Sequence, residues 1–225
     1  MLLLSACNYS RYDYGFFEGN WVLINYLDTV EKYRSVAAAN HTIMKEIVLK
    51  RGVDSVYVIT NGNDAKMYAY KQMQFNNIRI DDYEGDTLDL FITDNGKYLK
   101  GKQQLNWSTF VEPHPTLIDS VSYHWPRASK NIIHALTIAG NYIVKNTGDT
   151  ISFSTSGEIM NWGLFNKYEV CLDKLCRNGS LADVIQLISS NSIRTFEWKW
   201  IENELQFAEV GHPYNTFVLQ ELHQH

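Results

Sequence analysis

The chain has no surplus of positive charge: 20 Lys and Arg stand against 25 Asp and Glu, leaving a net charge of −5 over 225 residues. Without a broad basic field to hold a phosphate backbone, nucleic acid is not an expected partner. Proline is scarce at four residues and glycine stops at 13, so the composition is neither collagen-like nor that of a disordered chain. Long apolar runs are missing too. Hydrophobic residues reach 45%, enough for a core, yet no stretch approaches the ~20 consecutive apolar residues that span a bilayer. No glycine-rich phosphate loop, His-Glu-x-x-His pair or Gly-x-Ser-x-Gly elbow occurs, so the sequence predicts neither an enzyme nor a cofactor. Surface or loop positions are expected for His41, His114, His124, His134 and His212, none of which stands beside a nucleophile or a second ligand.

What the chain does have is aromatic side chains, 14 Tyr, 10 Phe and six Trp, which favour pleated, half-buried strands. Trp21 to Ile24 read as a first strand, after which Asn25 caps a helix reaching residue 39, with Leu27, Val30, Arg34 and Ala37 on one face. Beyond Met44 short runs alternate with turn residues. Leu88, Leu90 and Ile92 alternate with Thr87, Asp89, Phe91 and Thr93, and Asp94-Asn95-Gly96 turns the chain back as a hairpin. A connection bearing Pro113, Pro115 and Pro126 precedes a second helix over 128–139, closed by Gly140. Strands then resume, with Phe196, Trp198 and Trp200 the clearest period-2 signal, while 181–189 reads equally as strand or helix. Ten or more short strands are best satisfied by a mainly β fold, an antiparallel meander closing into a barrel, with a β-sandwich as the rival.

The amino-terminal stretch Leu4-Ser5-Ala6-Cys7 resembles the lipobox of bacterial lipoproteins, where cleavage precedes a cysteine that then carries lipid. By that resemblance residues 1–6 are a signal peptide remnant, Cys7 is the lipid anchor, 7–15 is a spacer and 16–225 is a single domain. The implied location is the bacterial cell envelope, at the outer membrane, with the membrane engaged through the lipid on Cys7. Cys171 and Cys176 are separated by four residues, close enough for a disulfide across a tight turn that an exported location permits; two unpaired thiols are the alternative. A zinc site needs two further ligands, and no Cys or His pair sits nearby to supply them. Asp81, Asp82, Glu84, Asp86 and Asp89 crowd one turn; a solvated turn is favoured there over a calcium site, because the EF-hand order is absent.

At the first strand Gly19-Asn20-Trp21 is similar to the Gly-x-Trp element of lipocalins, whose tryptophan plugs the closed end of the barrel. With Cys7, the chain resembles a bacterial lipocalin-like (calycin-type) lipoprotein, although the helix after the first strand is more like the fatty-acid-binding branch. The resemblance also implies a late basic residue packed on the tryptophan, and Arg194 is the candidate. It implies a non-enzymatic protein that binds a small apolar or amphipathic ligand. Tyr123, His124, Trp125 and Arg127 are candidate ligand-binding residues on a loop, with Trp107 and Trp198 in the barrel wall; the other outcome is that these aromatics simply complete the core. A filled interior would instead suit an interaction or scaffold module that contacts an envelope protein or a glycan. A hydrolase would require a polar cluster such as His124 with Asp119 inside a pocket.

Overall fold

The computed structural model describes residues 19–39, 44–49, 55–60, 65–74, 76–93, 98–104, 106–111, 127–172 and 180–222. The first set of elements is β1 (Gly19–Leu23), α1 (Ile24–Tyr33), β2 (Met44–Leu49), β3 (Ser55–Thr60), β4 (Ala65–Gln74), β5 (Asn77–Tyr83), β6 (Asp86–Thr93), β7 (Tyr98–Gln103) and β8 (Asn106–Val111). Each strand pairs antiparallel with the next, and β1 returns to β8 through Val22↔Val111 and Leu23↔Phe110, so the eight strands close into a barrel. Closure removes the exposed edges that would otherwise template pairing with other chains. The expected meander barrel, with a helix directly after its first strand, is what these residues form.

The alternation in the sequence explains the barrel wall. Leu88, Leu90 and Ile92 point inward and are buried, while Thr87, Asp89, Phe91 and Thr93 stand on the outer face. Opposite Leu90 lie Ile78 on β5 and Gly101 on β7. At Gly101 the core lies close against the wall: a Cβ there would lie 3.2 Å from the Phe110 ring and 3.4 Å from Leu90 Cδ2. Each fully buried Leu, Ile or Val side chain of this kind contributes roughly 1.5–3 kcal/mol relative to exposure.

The second set begins with α2 (Arg127–Thr137) and continues with β9 (Gly140–Val144), β10 (Thr150–Phe153), β11 (Ile159–Met160), β12 (Lys167–Val170), β13 (Asp183–Ile188), β14 (Ile193–Ile201), β15 (Glu204–Glu209) and β16 (His212–Glu221). These form a second antiparallel sheet in the order β11-β10-β9-β16-β15-β14-β13-β12. The sequence pattern had placed these strands in the same barrel as the first eight; instead β9 pairs with β10 and β16. The two edge strands of this sheet then meet through a single bridge, Glu158↔Lys167, supported by Tyr168 N–H donating to Gly157 O at 2.7 Å. The ambiguous stretch 181–189 resolves as β13, paired on both sides.

α1 is shorter than the helix read over 25–39. Leu23 rather than Asn25 stands at its N-cap, and Arg34 ends it by adopting a left-handed conformation, φ 45°. That exit sends 34–39 toward the second sheet. The Arg34 guanidinium lies 3.4 Å from the centre of the Trp200 ring and makes two hydrogen bonds to Glu221, at 2.9 and 3.0 Å. Ala37 N–H donates to Asp183 Oδ1 at 2.7 Å, and Val36 and Ala39 are buried beside it in the shared core. α1 also packs on β1, β8 and α2. Among the described residues no helix is long and apolar enough to cross a membrane.

Candidate functional site

Register builds a row of polar residues across the outer face of the barrel. Lys71 on β4 stands opposite Arg79 on β5, Arg79 opposite Asp89 on β6, Asp89 opposite Lys102 on β7, and Lys102 opposite Trp107 on β8. Arg79 holds Asp89 with two parallel hydrogen bonds, Nε to Oδ1 at 2.7 Å and Nη2 to Oδ2 at 3.0 Å. This fork geometry, followed by the Coulomb attraction of the same carboxylate, raises the Arg79 pKa above its ordinary value. Lys71 pairs with Asp81 at 2.7 Å. Two members of the acidic run are thereby committed to cations on a neighbouring strand, and among the described residues no group of three or more His, Cys, Asp or Glu is arranged to hold a metal.

Beside this row lies an open depression of about 270 Å³ lined by Arg79, Asp86, Thr87, Asp89, Lys102 and Gln104. At its rim Asp86 Oδ2 is buried and accepts no hydrogen bond. A buried carboxylate oxygen without a donor is costly, and such an atom calls for a partner. Phe91, two residues beyond Asp89, shares the same face of β6. Together these groups offer hydrogen-bond donors and acceptors on the barrel wall.

The lumen behind that wall is occupied by side chains. Trp21, on β1 opposite Ile47, is 2% exposed, and Leu90, Leu99 and Phe110 are fully buried. Gly19 opens β1 opposite Leu49. Arg194, the residue the lipocalin resemblance put on the tryptophan, stands on β14 of the other sheet. There it makes a two-pronged pair with Glu209 and lies 5.3 Å from the Phe196 ring centre and 5.7 Å from that of Phe165. Arg194 and Asn215 Nδ2 both donate to Glu209 and hold its carboxyl well below the usual range, at about 2.

No family model, curated protein or solved structure matches the chain. The closed, eight-stranded antiparallel barrel is an arrangement consistent with calycin-like folds, and it is the geometry alone that carries this likeness. Of the other residues singled out from sequence, Cys7, Tyr123, His124, Trp125 and Cys176 lie outside the described residues. Arg127 opens α2, Trp107 sits at its register position on β8, and Cys171 is buried and disulfide-bonded. Trp198 is 3% exposed on β14, with an indole N–H that has no acceptor. The ligand residues expected on β8 and β14 therefore belong to different sheets.

Two groups escaped the sequence reading. His134, expected at the surface, is 4% exposed on α2. Its Nδ1 lies 3.0 Å from Thr155 O and Val170 N–H donates to Nε2 at 3.5 Å, an arrangement that suits the neutral ring with its proton on Nδ1. Burial lowers its pKa to about 4. Arg34, read as one more residue on a helix face, proves to be the link to Trp200 and Glu221. Their signals in sequence are weak, because a lone His or Arg at helical spacing says nothing of the strand it will meet.

Proposed function

We propose that this chain is a non-enzymatic binding module of the bacterial cell envelope, tethered by lipid on Cys7, that engages an envelope partner on the outer face of β5–β7. One contrast supports the outer face: the barrel lumen is filled by Trp21, Leu90, Leu99 and Phe110, whereas the outer depression is open to solvent and lined by polar and charged residues, among them Arg79, Asp86, Thr87 and Asp89. Binding of a small molecule inside the barrel would first have to displace side chains packed as tightly as a protein interior. The anchor rests on the likeness of Leu4-Ser5-Ala6-Cys7 to a lipobox. Cys7→Ser should release the protein from membranes, and unchanged membrane fractionation would contradict the tether. For the binding face, a photo-crosslinking residue placed at Thr87 should trap a defined adduct in the host envelope, while one at Lys199, exposed on β14, should not. Equal trapping at both positions, or none at Thr87, counts against the assignment.

A second reading keeps the small apolar or amphipathic ligand and moves it to the aromatic interior of the second sheet. The observation favouring it is the buried Trp198 Nε1–H without an acceptor. Native mass spectrometry of protein purified from its host should then reveal a retained small molecule, and a spectrum of bare chain removes this reading.

A further inference from the structure

We propose that His134 is a pH-sensitive splint in the hairpin that closes the second sheet, and that protonating it parts the base of that hairpin and uncovers the aromatic interior behind it. This stands apart from both binding readings above. The hairpin runs from the end of β10 through β11 to β12. Along it Glu158 faces Lys167, and Tyr168 N–H donates to Gly157 O at 2.7 Å. Two residues further toward the base on each strand, an antiparallel ladder would join Val170 N–H to Thr155 O. The imidazole of His134 stands in that place instead. Val170 N–H donates to Nε2 at 3.5 Å, and Nδ1–H donates to Thr155 O at 3.0 Å, so the ring relays one ladder bond between strands that do not make it directly.

Such a relay works only while the ring is neutral. It needs one nitrogen to accept and the other to donate, whereas a protonated ring donates from both and sets Nε2–H against Val170 N–H. The ring has little room to turn away: its centre lies 4.4 Å from that of the Tyr168 ring, and a Cβ on Gly157 would come within 3.2 Å of its Cε1. The charged and titratable groups facing it are Lys130, one turn earlier on α2, and Glu169 and Tyr168 on β12, with Glu158 and Lys167 at the bridge. From the β10–β11 connection it meets the uncharged Thr155 and Gly157. Burial keeps the ring neutral, outweighing the Thr155 carbonyl and Glu169, which favour its charged form, while Lys130, paired with Glu169, opposes it. Tyr168 stays protonated, because burial raises its pKa, and its hydroxyl donates to Ser154 O at 2.6 Å. Acid therefore acts on this hairpin through His134. The ladders of β10 with β9 and of β12 with β13 lie on the far sides of the two strands. A break is thus confined to the hairpin base, where Tyr168 covers Phe153 at 5.1 Å.

Amide hydrogen exchange on the full ¹⁵N-labelled chain, corrected for the intrinsic rate at each pH, gives an opening constant residue by residue. Already at pH 7.5 the Tyr168 and Val170 amides should open more readily than that of Phe207, on a strand laddered on both sides, which marks an opening smaller than global unfolding. Their opening constants should then rise about 30-fold between pH 7.5 and 5, the growth expected when the opened ring titrates near 6.5 and the closed one at about 4. His134→Gln, whose amide both accepts and donates without titrating, should make those constants nearly independent of pH. In the wild type at pH 7.5 the ring's own ¹⁵N spectrum should show a neutral imidazole with its proton on Nδ1, a readout that holds even if the variant fails to fold. The proposal is overturned if Tyr168 and Val170 match Phe207 at every pH, if their opening constants stay flat down to pH 5, if His134→Gln shows the same rise, or if the proton sits on Nε2.

Discussion

The two halves of the molecule reach the same end, a sheet curled on itself, by different means. In the barrel, closure is made by backbone: each strand is laddered to two neighbours, and aliphatic side chains such as Ile47, Val58, Ile80 and Leu99 fill the inside. In the second sheet the edges meet at one bridge, and the interior is aromatic. Phe153 packs against Tyr168 at 5.1 Å and 74°, Trp162 against Phe165 at 5.2 Å and 74°, and Phe196 against Phe207 at 6.4 Å and 78°. Each such edge-to-face pair contributes roughly 0.5–1.5 kcal/mol beyond its buried area. Where β11 meets β12 the approach is so close that only glycine fits: Gly157 has φ +89°, and a Cβ there would lie 2.8 Å from Tyr168 O. A ladder tolerates varied fillings, since hydrogen bonds hold the wall. A sheet shut by one bridge depends on directional packing and on the Arg34 strap.

The largest effect should come from the aromatic interior. Phe207, 1% exposed and in contact with Phe153 and Phe196, should cost ~3–5 kcal/mol when changed to Ala. Amide exchange should then lose protection first around Gly157 and Tyr168, while β1–β8 keep theirs. A loss spread equally over both halves would show that closure by packing is not peculiar to the second sheet.

Next in size is acid. Unfolded, the His134 ring takes its proton near 6.5; folded, it does so only at about 4. Between those values the unfolded state binds more protons, so the stability contributed by the neutral ring is whole above pH 6.5 and falls as pH drops toward 4. The total loss is at most ~3 kcal/mol. Urea unfolding from pH 7 to 4 should show it, and His134→Gln should flatten the slope in that window. Glu209, held at about 2 against an ordinary value of 4.5, begins to lose its contribution only as pH falls past 4.5 and goes on losing it toward 2, so it should leave an acid limb in both proteins at the lower end of the range. An unchanged slope in His134→Gln would place the sensitivity elsewhere.

The strands were legible because alternation is local. Leu88, Leu90 and Ile92 declare a buried face within one strand, and Phe196, Trp198 and Trp200 do the same. Partition into two sheets was not, since β9 chooses β16 over β8 through contacts far apart in sequence. For the candidate site, Asp81, Asp86 and Asp89 read as an acidic turn on their own. Arg79, Lys71 and Lys102 turn that cluster into a neutral, mixed face, and they arrive from neighbouring strands, visible only once register is known. Arg34 was hidden for a similar reason: Glu221 lies 187 residues away, and the left-handed turn that aims the guanidinium carries no glycine or asparagine to announce it.

The strap and the outer row offer the finer test, both being ion pairs. Arg34→Ala removes a ring stack and two charge-assisted hydrogen bonds in a partly buried seam, with side chains 31% and 21% exposed, and should cost about 1–3 kcal/mol, with Arg34→Lys in between. Lys71→Ala should cost least, no more than ~0.5 kcal/mol, despite a 2.7 Å pair with Asp81. Those side chains are 74% and 49% exposed, so water and salt screen the attraction, and holding two mobile side chains together offsets most of what remains. Denaturation at low and high salt separates the cases, because a screened pair fades with salt while a stacked, partly buried one persists. If Lys71→Ala costs as much as Arg34→Ala, the outer charges hold the barrel wall together, and the contrast between a half closed by its ladder and a half closed by packing fails.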